Sequence, residues 1–215
     1  MDIQHLKEFD YTLPFDLIDN LPPLIREAKT PPTSYKCAHK QGAFIRAVAN
    51  DPRLVSAIKE ILGDEIYLWG SSLVAAAPGH IHRYHVDAEH FHIKGVSVSI
   101  GLENCTENTK FYFMSHSDAI PVSPQELSRN PKERELFVKK AKEYDARADH
   151  VELTMRPGQC IIWKGRTWHS TENKSNKTRY SLILQYAVTV PGIPKTYDDP
   201  RVPLSDKKYD AIRID

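Results

Sequence analysis

The feature of this sequence that most restricts its fold is a series of short apolar runs with a period of two residues. The runs lie between residues 65 and 190, are rich in β-branched and aromatic residues, and are separated by clusters of Gly, Pro and Asn. They read EIYLWGSSLVAAAPG, GVSVSIGLENC, KFYFMS, HVELTM, GQCIIWKG and TRYSLILQYAVTV. Alternation of this kind is typical of strands with one buried face, so we predict an antiparallel β core.

Helical patterns flank this core. The segment GAFIRAVANDPRLVSAIKEIL predicts two short helices ending at Gly63, with Asp51 capping the second helix and Pro52 starting it. A charged helical pattern follows Ser123 and is interrupted at Pro131. No linker divides the 215 residues, so we predict one domain over residues 1–215. Within it, residues 1–40 form an extended or helical lead-in, and residues 120–150 form a helical insertion and candidate lid.

The composition excludes several classes of function. Because 29 basic residues balance 28 acidic ones, no overall field attracts nucleic acid or an anionic membrane. Cys37, Cys105 and Cys160 are too few and too scattered for a disulfide framework, and no run approaches a membrane span. The acidic start MDIQHLKEFDYTLPFD does not resemble a signal peptide. We therefore expect a cytoplasmic protein whose partner is a small-molecule substrate. Nothing in the sequence indicates its oligomeric state.

The stretch HRYHVDAEHFH contains four of the ten histidines. In a strand, His85 and Asp87 lie on one face, because side chains two residues apart point the same way. His169, which follows an apolar run and a Lys-Gly-Arg turn, can supply a third ligand. Two imidazoles and one carboxylate are the ligand set of the non-haem Fe(II) oxygenases and leave coordination positions open. A His-x-Asp pair alone is a weak signal, because it is often two unrelated surface residues.

Arg179 and Ser181 strengthen this interpretation. They begin a strongly β run ten residues after His169 and share one strand face. A guanidinium with a neighbouring hydroxyl suits a carboxylate, so this pair is a candidate anchor for a dicarboxylate cosubstrate. By contrast, Trp163 and Trp168 are expected in the β core or a cavity wall, and His80 and His82 in a polar loop near the site.

Together these motifs resemble the phytanoyl-CoA dioxygenase family of Fe(II)/2-oxoglutarate-dependent oxygenases. The resemblance covers roughly residues 40–192, including VSVSIGLENCTENTKFYFMSHSD and RPGQCIIWKGRTWHSTENKSNKTRYSLILQYA. It implies a mainly β fold with flanking helices around a double-stranded β-helix, the jelly-roll or cupin-like core. The implied site residues are His85, Asp87 and His169 on Fe(II), Arg179 and Ser181 on the distal carboxylate of 2-oxoglutarate, Thr171 beside them, and Ser97 against the cosubstrate.

The resemblance implies a dioxygenase that uses Fe(II), 2-oxoglutarate and O2. It would hydroxylate its substrate through an Fe(IV)=O intermediate, with release of succinate and carbon dioxide. The side chains of Glu89, His90, His92 and Lys94 suggest a polar small molecule as substrate. Two alternatives stay open. A cupin-like isomerase or hydrolase uses the same three ligands with zinc or manganese but has no use for Arg179 and Ser181. A non-catalytic binding protein on this fold is the other.

Overall fold

Two antiparallel sheets form the core of the computed structural model, which describes residues 3–6, 33–36, 38–41, 43–87, 94–120, 133–188 and 212–214. The large sheet has the strand order β1-β8-β5-β10-β3-β11, with β2 also paired to β3, and the small sheet has the order β4-β9-β6-β7. The strands of the large sheet are β1 (Ile3–Leu6), β2 (Thr33–Lys36), β3 (Ile66–Ala76), β5 (Gly95–Glu103), β8 (Cys160–Lys164), β10 (Arg179–Ala187) and β11 (Ile212–Ile214). Those of the small sheet are β4 (Ile81–His85), β6 (Thr109–Met114), β7 (His150–Thr154) and β9 (His169–Asn173).

All six apolar runs form strands, namely β3, β5, β6, β7, β8 and β10. The strands β1 and β2 lie in the lead-in of residues 1–40, and β11 lies near the C-terminal end of the sequence. The short polar strand β9 was not among the predicted strands. The mainly β jelly-roll core expected from the sequence is confirmed.

Three helices cover the outer face of the large sheet: α1 (Ala38–Gln41), α2 (Ala43–Ala49) and α3 (Pro52–Leu62). As predicted, the Asp51 carboxylate accepts a hydrogen bond from Arg53 N at 2.9 Å and Pro52 begins α3. Gly63 ends this helix with a φ of 99°, a backbone conformation that side chains with a Cβ disfavour. The buried face of α3, which includes Leu54 and Ile58, packs on apolar side chains of the large sheet.

The helix α4 (Glu133–Tyr144) covers the outer face of the small sheet. The Phe137 ring lies 4.8 Å from the Tyr84 ring and 4.7 Å from the Trp168 ring, measured between centroids. The described part of the 120–150 insertion is thus a packed cover on the small sheet. Its start at Ser123 lies outside the described residues, and the lid and the single-domain organisation stay predictions. None of the helices in the described ranges has the length and apolar character that crossing a membrane requires.

The inner faces of the two sheets face each other. Phe111 and Phe113 of the small sheet pack against Ile161 and Trp163 of the large sheet. Polar side chains continue the same inner faces towards the ends of β4, β9 and β10, and they surround a cavity of about 240 Å³. The fold therefore places a cavity with polar side chains between two sheets whose outer faces are apolar.

Candidate active site

The structure brings the three predicted ligand residues together at one end of this cavity. His85 is the last residue of β4, His169 is the first residue of β9, and the two are paired in register. Asp87 lies in the bend just after β4 rather than in the strand, yet its side chain still points to the two imidazoles. The Nε2 atoms of His85 and His169 lie 3.8 and 3.6 Å from the Asp87 carboxylate oxygens. All three ligand atoms lie within 4.8 Å of one another.

Backbone carbonyls fix the protonation of both histidines. The Nδ1 atoms of His85 and His169 lie 2.8 Å from Arg83 O and 2.9 Å from Thr167 O. Since a carbonyl can only accept, Nδ1 carries the proton in each ring and Nε2 keeps its lone pair. Each imidazole therefore presents a free lone pair towards Asp87, the arrangement found around metal ions.

The electrostatics favour the same protonation states. Burial, followed by the nearby His169, lowers the pKa of His85 to about 4, and burial also lowers the pKa of His169. Burial alone would raise the pKa of Asp87, but both imidazoles and a hydrogen bond from Ser97 outweigh it, so this pKa is lowered. At neutral pH the site thus holds two neutral imidazoles and one carboxylate. The distances between the two Nε2 atoms and the Asp87 oxygens are longer than hydrogen bonds. They approach the separation of about 3–3.5 Å between neighbouring ligand atoms around one ion with bonds near 2.1 Å.

A buried cation lies near the other end of the cavity. Arg179, the first residue of β10, is 3% exposed, and its Nη2 atom lies 3.4 Å from Thr171 Oγ1. Its Nε and Nη1 atoms and the Oγ atom of Ser181 have no hydrogen-bond partner within the described ranges. Burial lowers the pKa of Arg179, but a guanidinium stays charged. Buried donors without acceptors are costly, so this cradle suits an anionic ligand such as a carboxylate.

Comparison with known proteins agrees with this geometry. The sequence model of the phytanoyl-CoA dioxygenase (PhyH) family matches residues 25–181. The chain belongs to this family. The match confirms the resemblance expected from the motifs, and it begins before residue 40, where that resemblance began. No protein with a curated description matches the chain in sequence.

Solved structures show how the fold of this PhyH-family chain is used elsewhere. The epimerase SnoN in complex with Fe3+, alpha ketoglutarate and nogalamycin RO superposes with a TM-score of 0.68 at 15% identity, covering 90% of this chain and 87% of that one. The carbocyclase SnoK from nogalamycin biosynthesis superposes with a TM-score of 0.67 at 13% identity, covering 100% of this chain and 92% of that one. EctD from S. alaskensis with 2-oxoglutarate and 5-hydroxyectoine superposes with a TM-score of 0.55 at 23% identity, covering 72% of this chain and 56% of that one. At these identities the likeness shows a shared fold.

Two residues of this PhyH-family site act on Asp87 in a way that was not predicted. Trp163, predicted as core or wall, is buried, but its Nε1 atom also donates to Asp87 Oδ2 at 3.2 Å. Ser97, which the resemblance placed against the cosubstrate, does not line the cavity, and it contributes to the lowered pKa of Asp87. Its contact with the cosubstrate stays a prediction. Nothing in the sequence pattern distinguished these two polar roles from ordinary β-core positions.

The remaining cavity wall combines polar side chains with Val74, Phe111 and Ile183, and its polar part was largely missed from the sequence. It includes Lys36 and Ser34, which share one face of β2 while Tyr35 between them packs into the core. His80 and His82 also line the cavity, and His82 belongs to β4 rather than to a loop. The rings of His82 and His85 lie 4.0 Å apart between centroids, and the surrounding protein lowers the pKa of His82 to about 3. The other polar wall residues are Ser72 and Gln185.

The residues that suggested a polar substrate give little support in the structure. Glu89, His90 and His92 lie outside the described residues. Lys94 does not line the cavity, because its Nζ atom donates to Leu62 O at 3.3 Å, at the end of α3. A cation at that helix terminus is explained by the partial negative charge of the terminal carbonyls. The polar substrate therefore stays a prediction.

Proposed function

We propose that this PhyH-family protein is an Fe(II)/2-oxoglutarate-dependent dioxygenase that hydroxylates a polar small molecule. One observation carries the proposal. A single cavity holds a two-histidine, one-carboxylate cluster and, beside it, a buried guanidinium and hydroxyl whose donors have no partner within the described chain. A metal with a dicarboxylate cosubstrate would satisfy both halves of the site. The relatives SnoN and EctD, described with alpha ketoglutarate or 2-oxoglutarate, support this proposal.

In the proposed site, His85, Asp87 and His169 would hold Fe(II) through two Nε2 atoms and one carboxylate oxygen. Three protein ligands leave coordination positions for other molecules. When bound, Fe(II) with 2-oxoglutarate and O2 supplies the oxidising chemistry, and the cosubstrate leaves as succinate and carbon dioxide. The protein itself orients the ligands. The carbonyls of Arg83 and Thr167 hold both imidazoles in the ligating tautomer, and the buried surroundings keep the imidazoles unprotonated.

Arg179 would bind the distal carboxylate of 2-oxoglutarate through its unpaired Nε and Nη1 donors. Ser181 adds a hydroxyl from the same strand face, and Thr171 already contacts the guanidinium. The Phe111 ring packs 5.1 Å from Arg179 Cζ and limits the positions open to the guanidinium. These contacts position the cosubstrate and exclude water from it.

The substrate class is proposed from the rest of the wall. Ser34, Lys36, Ser72 and Gln185 supply hydrogen-bonding groups, and His80 and His82 add imidazole nitrogens. Such a wall suits a substrate with hydroxyl, amide or carboxyl groups. Hydroxylation is one of several outcomes on this fold, since SnoN is described as an epimerase and SnoK as a carbocyclase. The product distinguishes them, because hydroxylation adds one oxygen atom while epimerisation adds none.

The two alternative classes explain less of the site. A hydrolase or isomerase on this fold needs the three ligands but leaves Arg179 and Ser181 buried without a function. A binding protein has no need for three metal ligands with fixed tautomers. We also propose a reducing, cytoplasmic setting, which is supported by the buried free thiols of Cys105 and Cys160.

The proposal is tested by succinate formation. Protein loaded anaerobically with Fe(II) is mixed with 2-oxoglutarate and air, and we expect slow succinate release even without substrate. His169→Ala removes a ligand and should abolish this release. His150→Ala removes an imidazole from the outer face of the small sheet, where it stacks on Tyr112, and should leave it unchanged.

A screen of metabolite classes for stimulated succinate release, followed by mass spectrometry, then identifies the substrate and shows whether the product gains one oxygen. Succinate release no higher than in His169→Ala, with iron bound to the wild-type protein, would contradict the proposed function.

A further inference from the structure

The carboxylate ligand has more contacts than its place in the chain suggests. Asp87 lies beyond the end of β4, in a bend where no strand pairing holds it. Its backbone N nevertheless donates to Gly165 O at 3.0 Å, and its Oδ2 atom accepts from Trp163 Nε1 at 3.2 Å. The Ser97 hydroxyl, beside Trp163 in the strand register, helps to lower the pKa of Asp87. Asp87 is thus held at its side chain by Trp163 of β8 and at its backbone by Gly165 in the turn that follows β8.

Trp163 and Ser97 are neighbours on the large sheet. Ser97 of β5 and Trp163 of β8 are direct register partners, so their side chains stand side by side on the inner face. They are 1% and 2% exposed. The indole is also packed between two rings, 5.4 Å from Phe113 and 4.9 Å from His169 between centroids. Donors fixed by a sheet and by packing hold an acceptor better than donors on a loop.

We propose that Trp163 and Ser97 are positioning residues that hold the Asp87 carboxylate in one orientation for metal binding. This inference rests on the proposed function, because it assigns the support of the same metal site. A carboxylate without such donors can rotate and bind an ion through both oxygens. With the Trp163 N–H on Oδ2, the carboxylate keeps one orientation and favours binding through a single oxygen. The positions needed for a cosubstrate then stay open.

The physical expectation is a loss of metal affinity when either donor is removed. Hydrogen-bond partners of metal ligands typically change affinity or activity by about 10–100-fold when they are mutated. A structural role alone would change the stability of the metal-free protein instead. The two roles are therefore separated by measuring Co(II) binding and unfolding on the same variants.

The experiment titrates metal-free protein with Co(II) and follows its visible absorption spectrum. Trp163→Phe and Ser97→Ala are expected to bind Co(II) about 10–100-fold more weakly than wild type. Their bands should shift in position and intensity, because the carboxylate then adopts another coordination mode. Ser97→Thr keeps the hydroxyl and should restore wild-type affinity. Trp168→Phe is the matched control, since it makes the same change in an indole whose Nε1 atom has no hydrogen-bond partner in the described part of the chain.

Each outcome has a distinct meaning. If Trp163→Phe and Ser97→Ala both bind Co(II) with wild-type affinity and spectrum, the positioning role is overturned, while the proposed function stands. If His169→Ala also binds Co(II) as wild type does, the metal site itself fails, and the proposed function fails with it. Ser97→Ala removes a single oxygen atom, so it keeps the test decisive if Trp163→Phe does not fold.

Discussion

The guanidinium of Arg179 lies against the ring of Phe111, with Cζ 5.1 Å from the ring centroid. The two residues come from opposite sheets, β10 and β6, so the closed sandwich itself brings them together. A cation–π contact contributes about 0.5–2 kcal/mol, whereas the burial of an unpaired charge costs several kcal/mol. The contact therefore does not explain why Arg179 is buried. The proposed anionic ligand at the unpaired donors would explain it.

Replacing Arg179 should weaken 2-oxoglutarate binding strongly. For Arg179→Ala we expect a loss of about 2–5 kcal/mol, the scale for removing one partner of a buried charge pair. Arg179→Lys keeps the charge but lacks the fork that matches a carboxylate, so its loss should be smaller but measurable. Calorimetric titration of Co(II)-loaded protein with 2-oxoglutarate gives the affinities. Arg166→Ala is the control, because that guanidinium donates to Asp118 O outside the cavity lining. Unchanged affinity in Arg179→Ala would remove Arg179 from the site.

The buried charge of Arg179 should make the ligand-free protein less stable than it would be with an apolar side chain at this position. Arg179→Met replaces a buried charge with an apolar side chain of similar length. We expect the free energy of unfolding to rise by about 1–4 kcal/mol, since apolar replacements of buried charges are often stabilising. Chemical denaturation of the metal-free protein measures the change. A lower free energy of unfolding would mean that the protein already supplies a compensating acceptor.

The strands and ligands that could be predicted have a local signal. The six apolar runs alternate because one face of each strand packs into a core, and this alternation is visible in the sequence. The strand β9 lacks it, because its inward-facing residues His169 and Thr171 line the cavity and are polar. The short strands β1, β2 and β11 are stabilised by pairing with distant strands, and such pairing leaves no local pattern.

The supporting contacts of the site could not be predicted for a similar reason. The acceptors of His85 and His169 are backbone carbonyls, which any residue supplies equally well. The donor from Trp163 reaches Asp87 across 76 residues of sequence. Lys36 enters the cavity because β2 pairs with β3, a contact between segments more than thirty residues apart. The candidate ligands can thus be proposed from a motif, but the contacts that support them depend on the complete fold.

The low pKa of His85 should make the metal-free protein sensitive to mild acid. Burial and the nearby His169 lower this pKa from 6.5 to about 4. In the unfolded chain the imidazole binds a proton below about pH 6.5, whereas in the folded protein it stays neutral until about pH 4. The free energy of unfolding therefore falls as the pH decreases through this window. Asp87 acts separately, because its pKa is lowered from 3.8 and its contribution is lost only below that pH.

Melting temperatures of the metal-free protein between pH 7.5 and 4.5 test this expectation. The melting temperature should drop across the window, and His85→Gln should flatten part of the drop. At pH 7.5 the imidazoles are neutral in both the folded and the unfolded protein. Protonation of His85 therefore contributes nothing to the difference in melting temperature between variant and wild type at this pH. An equal slope in wild type and His85→Gln would show that His85 does not titrate as described.

Two glycines on the inner face of the large sheet should respond differently to alanine. A Cβ at Gly101 would lie 2.5 Å from Arg156 O and 3.2 Å from Cys105 Sγ. A Cβ at Gly70 would meet only the flexible side chain of Gln185, chiefly its Oε1 atom. We expect Gly101→Ala to cost about 1–3 kcal/mol through overpacking. Gly70→Ala should be neutral or slightly stabilising, because the amide can turn away and the unfolded chain loses freedom. Urea denaturation measures the free energy of unfolding of both variants. Equal losses in Gly101→Ala and Gly70→Ala would contradict the predicted difference.

The cover helix α4 should matter for stability and not for cosubstrate binding. Phe137 is 1% exposed and packs between Tyr84 and Trp168 on the outer face of the small sheet. Phe137→Ala should therefore cost about 3–5 kcal/mol of unfolding free energy, as is usual for a buried aromatic side chain. Leu136→Ala is the control on the same helix, because Leu136 is 37% exposed, and its effect should stay within about 0.5 kcal/mol.

The affinity for 2-oxoglutarate should be the same in folded Phe137→Ala as in wild type, since no residue of α4 lines the cavity. A fall in this affinity without a loss of stability would instead assign the helix a part in closing the cavity. Calorimetric titration at low temperature, where the variant stays folded, separates these outcomes.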